Sequence, residues 1–157
     1  MLVTDIKYYK LGYLFLLAAG SKVGVTGTTM DTNELLLNKI LIVDDVLSMR
    51  SLTKAILREA GFAHVFDAPD GQEALKLMRK VKVNLIICDW NMPVMSGLEF
   101  FKAVQEDPKL AGTPFIMLTS SSEGSKVKEA IQAGITAYMI KPFKPADLVK
   151  KISSMLT

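Results

Sequence analysis

A chain of 157 residues, half of them apolar and 22% charged, can bury a full core in one compact domain and is too apolar to stay disordered. Its net charge of +3 is unevenly placed: residues 1–30 carry Lys7, Lys10 and Lys22 against Asp5 alone, which leaves 16 basic and 15 acidic side chains for residues 31–157. A nearly neutral domain does not read as a nucleic-acid binder, and a lone cysteine, Cys88, excludes an internal disulfide and fits a reducing, cytoplasmic compartment.

In chain order, the first feature is the apolar run LGYLFLLAA at residues 11–19. It is too short to span a bilayer, which takes roughly 20 residues. Lys7 and Lys10 before it and Ala18-Ala19-Gly20-Ser21 after it give it the look of a weak signal peptide. The small, polar stretch Gly20 to Thr29 reads as a linker. A third reading, which we favour, starts translation at Met30, because MDTNELLLNKILIVDD is a natural opening for the domain that follows. Residues 1–35 are therefore set apart as an N-terminal extension or linker, and 36–157 as the domain.

From about residue 38, short apolar runs alternate with stretches at helical spacing. Strands are expected at Ile40–Val43, His64–Asp67, Leu85–Cys88, Phe115–Leu118 and Ala137–Ile140, and their lack of alternation predicts burial on both faces. Between them, Val46, Met49, Leu52 or Thr53, Ile56 and Ala60 form the stripe of a first helix, stopped by Gly61. Asp70-Gly71 opens a second, with Ala74, Leu75, Leu77 and Met78. Leu98, Phe101 and Val104 mark a third; Val127, Ala130 and Ile131 a fourth, ended by Gly134; Leu148, Ile152 and Met155 a fifth, with Pro145 in its first turn. Five such units imply an α/β fold, a doubly wound five-stranded parallel sheet with right-handed crossovers. Ligands in such sheets sit beyond the carboxyl ends of the strands.

The residues following the apolar runs are Asp44 and Asp45, Asp89, Thr119 and Lys141; only the second run lacks an obvious member. One aspartate after a strand is most simply a helix cap. Four strand ends that together bring three carboxylates, a hydroxyl and an ammonium to one edge point instead to a site. Clustered carboxylates need counter-charge. Lys141 supplies part, and a hard cation such as Mg²⁺, which takes a few carboxylates, a carbonyl and waters, suits the rest. Asp89 is then an anionic nucleophile able to attack a phosphoryl group held by Mg²⁺, Lys141 and the Thr119 hydroxyl.

ILIVDD, CDWNMPVMSGLEF, IMLTS and YMIKPF, in that order, resemble the response-regulator receiver family, and within it the single-domain chemotaxis regulators, over residues 36–157. The resemblance implies a (βα)5 flavodoxin-like, CheY-like receiver fold. It makes Asp89 the phosphoacceptor, and Asp44, Asp45, Asp89 and the backbone carbonyl of Asn91 the Mg²⁺ ligands. Thr119 and Lys141 become the switch hydroxyl and the phosphate-contacting lysine, and Tyr138 the aromatic switch. It implies a histidine kinase as phosphodonor, a flagellar motor switch protein or another downstream protein as target, a phosphatase as further partner, and no nucleic acid or membrane. Thr119 would move to bond the phosphoryl group, Tyr138 would turn inward, and the face at about residues 123–156 would change shape. Three departures stand out: Ser120 for alanine, Ser121 for a glutamate that influences dephosphorylation rate, and Val46 for a phenylalanine beside the acid pocket.

Plainer readings sit beside these. Cys88 reads as a small buried hydrophobe, and His64 as an exposed turn or strand-start residue. Trp90 is either a half-exposed aromatic beside a loop or, as its place next to Asp89 favours, a reporter of metal binding. Tyr138 could be ordinary strand packing. Lys141-Pro142 would be cis by the resemblance. Because the chain stops at Thr157, output is expected to be protein binding rather than a further module. The protein is expected to be no enzyme beyond its own phosphorylation and dephosphorylation. Two alternatives stay open: a phosphorelay shuttle or adaptor outside chemotaxis, and, more distantly, an aspartate-nucleophile phosphohydrolase. The second is disfavoured because Trp90-Asn91 follows Asp89 where such enzymes use Asp-x-Asp.

Overall fold

The computed structural model describes residues 23–25, 28–30, 36–120 and 124–156. Strands β1 (Val23–Val25) and β2 (Thr28–Met30) pair antiparallel. Part of the stretch expected to be linker is thus a hairpin, because valine and threonine are branched at Cβ and favour extended backbone. The apolar run at 11–19, and with it the signal-peptide reading, lies outside the described residues.

Five parallel strands form the main sheet: β3 (Lys39–Val43), β4 (His64–Ala68), β5 (Leu85–Asp89), β6 (Phe115–Ser120) and β7 (Ala137–Lys141), in the order β4-β3-β5-β6-β7. Five helices alternate with them: α1 (Leu47–Glu59), α2 (Gly71–Met78), α3 (Gly97–Glu106), α4 (Gly124–Ala133) and α5 (Pro145–Leu156). The strand order reverses direction at β3, so the switch point lies between the carboxyl ends of β3 and β5.

Side chains alternate across a strand, and the sequence uses both sets. Leu41, Val43, Ile86, Cys88 and Met117 join Ala74, Met78, Phe100, Val104 and Ala130 in the core beneath α2, α3 and α4. Ile40, Ile42, Leu85, Ile87, Ile116 and Leu118 join Leu57, Leu148 and Ile152 beneath α1 and α5. Continuous apolar runs in β3, β5 and β6 are the direct result.

Burial on both faces fails at the sheet's two edges. His64 of β4 is exposed, and in β7 Tyr138 and Ile140 point to solvent at 37% and 46% exposure. An edge strand has a neighbour on one side only, so helices cover less of it. The first helical stripe also needs correction. Leu52 is 56% exposed and Val46 precedes the helix, while Thr53 and Leu57 are the buried positions of α1. Ile131, expected on the inner stripe of α4, is exposed, and Ala130 is buried.

Asp70 accepts a hydrogen bond from the Glu73 amide at the start of α2. A reciprocal capping box joins Ser96 and Glu99 at the start of α3. Gly134 ends α4 with φ of 96°, a backbone conformation cheap only for glycine.

Candidate functional site

Asp44 follows β3, Asp45 follows Asp44, and Asp89 closes β5. One carboxylate oxygen from each lies within 4.8 Å of the others. Asp44 and Asp89 are buried and Asp45 is exposed. From the end of β7, Lys141 brings its Nζ to 2.6 Å from Asp89 Oδ1 and 3.8 Å from Asp44 Oδ2. Thr119, buried near the end of β6, stands in register with Ile140, one residue before Lys141. Asp44, Asp45, Asp89 and Lys141 therefore meet around the switch point, and Thr119 is carried to the same edge. Tyr138 lies apart, three residues below Lys141 on β7 and partly exposed. The Lys141-Pro142 peptide bond is cis.

Burial pushes the Asp44 carboxyl above its ordinary range. The Val46 amide, which donates to Asp44 Oδ1 at 2.8 Å, and the Lys141 ammonium oppose this, while Asp89 and Asp45 add to it. Cys88, one residue before Asp89, is fully buried, and burial together with Asp89 and Asp44 holds its thiol well above the usual range. Such a thiol is inert, in keeping with a packing role.

The backbone beyond Asp89 is closely held. Trp90 donates its amide to the Leu118 carbonyl, and Gly97 donates to the Trp90 carbonyl, both at 2.9 Å. A side chain at Gly97 would collide with the Asp89 carbonyl and press on Met117 Sδ and Trp90 Cα. Trp90 is itself buried at 5% exposure, so the half-exposed reading fails. It belongs to the core beneath α2–α4 that also holds Met92 and Leu98.

The strand without an obvious member supplies one after all. Asp67 of β4 accepts from Arg50 Nε at 3.3 Å and from Lys54 Nζ at 2.5 Å. Arg50 also donates through Nη1 to the Asp44 carbonyl at 2.7 Å. The hydrogen bond from Lys54, ahead of Arg50, lowers the Asp67 carboxyl from its ordinary range. This network anchors the backbone of the acid pair to α1 and β4. Lys126 of α4 is a further contact of the loop after Asp89 that no sequence motif marks. Its Nζ donates to Asn91 Oδ1 at 2.6 Å and stands 5.8 Å from the centre of the Trp90 ring. No local pattern marks that pair, because 35 residues separate its members. Ser121, the position tied to dephosphorylation rate, is outside the described residues.

Three oxygen donors gathered on a small radius, two of them buried and one, Asp44, raised in pKa chiefly by that burial, suit a hard divalent cation. The donor set fits Mg²⁺, which would relieve the repulsion that Lys141 offsets only in part.

A doubly wound parallel sheet with an acidic site at its switch point and a lysine reaching in from the last strand defines a class of α/β signalling domain. Residues 40–153 match the response regulator receiver domain, and the chain belongs to that family. It is 38% identical over 117 residues to the chemotaxis protein CheY-3 of Vibrio cholerae, covering 74% of this chain and 90% of the relative. It is likewise 38% identical to the chemotaxis protein CheY of Pseudomonas aeruginosa, covering 74% and 94%. Among solved structures, Vibrio cholerae CheY4 superposes with a TM-score of 0.70 at 40% identity, covering 75% of this chain and 98% of that one. The receiver domain of a Pseudomonas aeruginosa sensor histidine kinase, solved with magnesium coordinated in its active site cleft, gives 0.69 at 26% identity and covers 76% and 97%. Receiver domains are signalling proteins that take phosphate from histidine kinases, and an acidic Mg²⁺ pocket is typical of them. Among the described residues, no helix is long and apolar enough to cross a membrane.

Proposed function

We propose that this protein is a cytoplasmic two-component response regulator that accepts a phosphoryl group on Asp89 from a histidine kinase. It signals by binding another protein in its phosphorylated form, in chemotaxis at the flagellar motor switch. Residues 36–157 form the receiver and 1–35 an extension outside its chemistry. The observation that carries the reading is the meeting of Asp44, Asp45 and Asp89 within 4.8 Å, with Lys141 at 2.6 Å from Asp89. Chemotaxis is favoured over a relay outside it by the two CheY relatives at 38% identity, 90% or more of whose lengths this chain covers. Likeness to kinase-borne receivers at 26% and 29% identity supports the second reading, a phosphorelay shuttle.

Asp44, Asp45, Asp89 and the Asn91 carbonyl would hold Mg²⁺. Bound there, the ion supplies charge neutralisation for the incoming phosphoryl oxygens. Asp89 attacks phosphorus through its free oxygen, the bond from phosphorus to the donor histidine nitrogen breaks, and the proton balance is closed on that imidazole. Lys141 then pairs with the phosphoryl oxygens rather than with the bare carboxylate. Thr119 donates its hydroxyl to the same group. Tyr138, exposed in the resting form, turns inward, and the surface built by α4, β7 and α5 changes shape.

Acetyl phosphate with Mg²⁺ tests the chemistry. One phosphoryl mass should be gained by the wild type and none by Asp89→Asn. A gain retained in that variant removes Asp89 from the role. Binding to motor-switch protein with and without beryllofluoride separates motor control from shuttling.

A further inference from the structure

The connections that lead into β5 and β6 meet at the amino end of the sheet, opposite the acidic site. Residues 78–84 of one, and 107 and 109–114 of the other, line a groove of about 760 Å³, a size usual for small-ligand sites. Arg79, Lys80, Lys82 and Lys109 stand exposed on its walls against one carboxylate, Asp107. That carboxylate accepts the Lys109 amide at 3.0 Å. Among the described residues, none of the four cations is in an ion pair. Cations at a helix end often serve only the helix dipole, whose effect fades beyond the last turn. That accounts for Arg79 and Lys80, which directly follow α2. It does not account for Lys82 and Lys109, which lie well past the ends of α2 at Met78 and α3 at Glu106. A cleft lined by one sign of charge concentrates the opposite ion. Val81 and Pro114, both half-buried, add apolar surface on which a flat ring can lie. We propose that this groove binds a nucleoside polyphosphate, with its phosphates on Lys82 and Lys109, flanked by Arg79 and Lys80, and its base on the apolar wall. The groove shares no residue with the acidic site, so the inference does not rest on Asp89 being the phosphoacceptor.

ATP serves as the probe, with chelator present so that no metal carries it to the carboxylates. It is titrated into the isotope-labelled full chain and followed by amide chemical shifts. In the wild type the shifts should saturate and cluster over residues 79–84 and 109–113. Lys82→Gln combined with Lys109→Gln should weaken ATP binding about tenfold, and exposure of both side chains keeps the fold intact. Lys102→Gln combined with Lys128→Gln removes the same charge from exposed positions outside the groove lining and should bind ATP as the wild type does. Inorganic triphosphate, which lacks the base, should bind about tenfold more weakly than ATP. Absence of saturable shifts at the groove, or an equal loss in the two double variants, overturns the site. Triphosphate binding as tightly as ATP overturns the assignment to a nucleoside.

Discussion

The ammonium of Lys141 lies 2.6 Å from Asp89, closer than to any other carboxylate paired with it. In the absence of a metal the lysine is thus the main counter-charge for the end of β5, and it shares the Asp89 carboxylate with any cation held there. Replacing it with methionine should lower the melting temperature without metal and enlarge the rise on adding Mg²⁺. Thermal denaturation with chelator and with saturating Mg²⁺ measures both. An unchanged Mg²⁺ increment means that the two cations do not share Asp89.

Asp44 bears on the same balance from the other side. Its carboxyl is raised in the fold, chiefly by burial. Folding therefore favours its protonated form, a contribution fully present below the unfolded value and lost as pH rises through the folded one. At neutral pH the ionised group costs stability. Asp44→Asn keeps an oxygen for the Val46 amide, so it should raise the metal-free melting temperature at pH 7 by about 2–4 °C, near 1 kcal/mol, while abolishing most of the gain from Mg²⁺. A metal-free melting temperature below the wild type's contradicts the argument.

Asp67 titrates in the opposite sense. The Lys54 hydrogen bond and Arg50 hold its carboxyl low, so its contribution is present above the unfolded value and is lost as pH falls through the folded one. Asp67→Asn should be less stable than the wild type by about 0.5–1 kcal/mol at pH 7, with the gap closing below the ordinary carboxylate range. Urea denaturation across that window measures it. Since Arg50 also holds the Asp44 carbonyl, the variant should weaken Mg²⁺ binding too.

Val94 adopts φ of 68° and is 79% exposed, a left-handed conformation that a β-branched residue takes only under strain. Val94→Gly removes that strain and gives up almost no packing. It should stabilise the protein by about 1 kcal/mol in spite of the larger unfolded-state entropy of glycine. Equilibrium denaturation decides the sign.

Gly97 is the converse case. Alanine there would meet the Asp89 carbonyl and Trp90 Cα, both backbone, so the end of β5 must shift. A loss of about 1–3 kcal/mol is expected, along with a displaced Trp90 emission maximum. Full stability with native emission contradicts the close packing.

The central strands are legible in sequence because β3, β5 and β6 are covered on both faces, and no polar residue interrupts Ile40–Val43 or Leu85–Cys88. The strand-end residues are legible for the same reason: a polar group can appear only where cover ends. Edges defeat the reasoning. Tyr138 and Ile140 continue an apolar run into solvent, and whether a helix covers that side is not written in β7 itself. Leu52 misleads because apolar spacing shows a stripe but not which of two adjacent stripes faces inward. Trp90 hides the other way: beside three polar or turn residues it looks half-exposed, yet it is buried in the core beneath α2, α3 and α4. Arg50 with Asp67 and Lys126 with Asn91 are long-range meetings that depend on the register of sheet and helices, which a linear pattern does not carry.

Neighbouring residues of β5 serve opposite cores, Ile86 and Cys88 on one side, Leu85 and Ile87 on the other. Deleting a single residue within that segment would turn each remaining side chain to the wrong layer and aim Asp89 away from its partners. Changes of length should therefore be tolerated only in connections far from the carboxylates, such as those before β5 and β6. The central ribbon behaves as a ruler that admits no change of count.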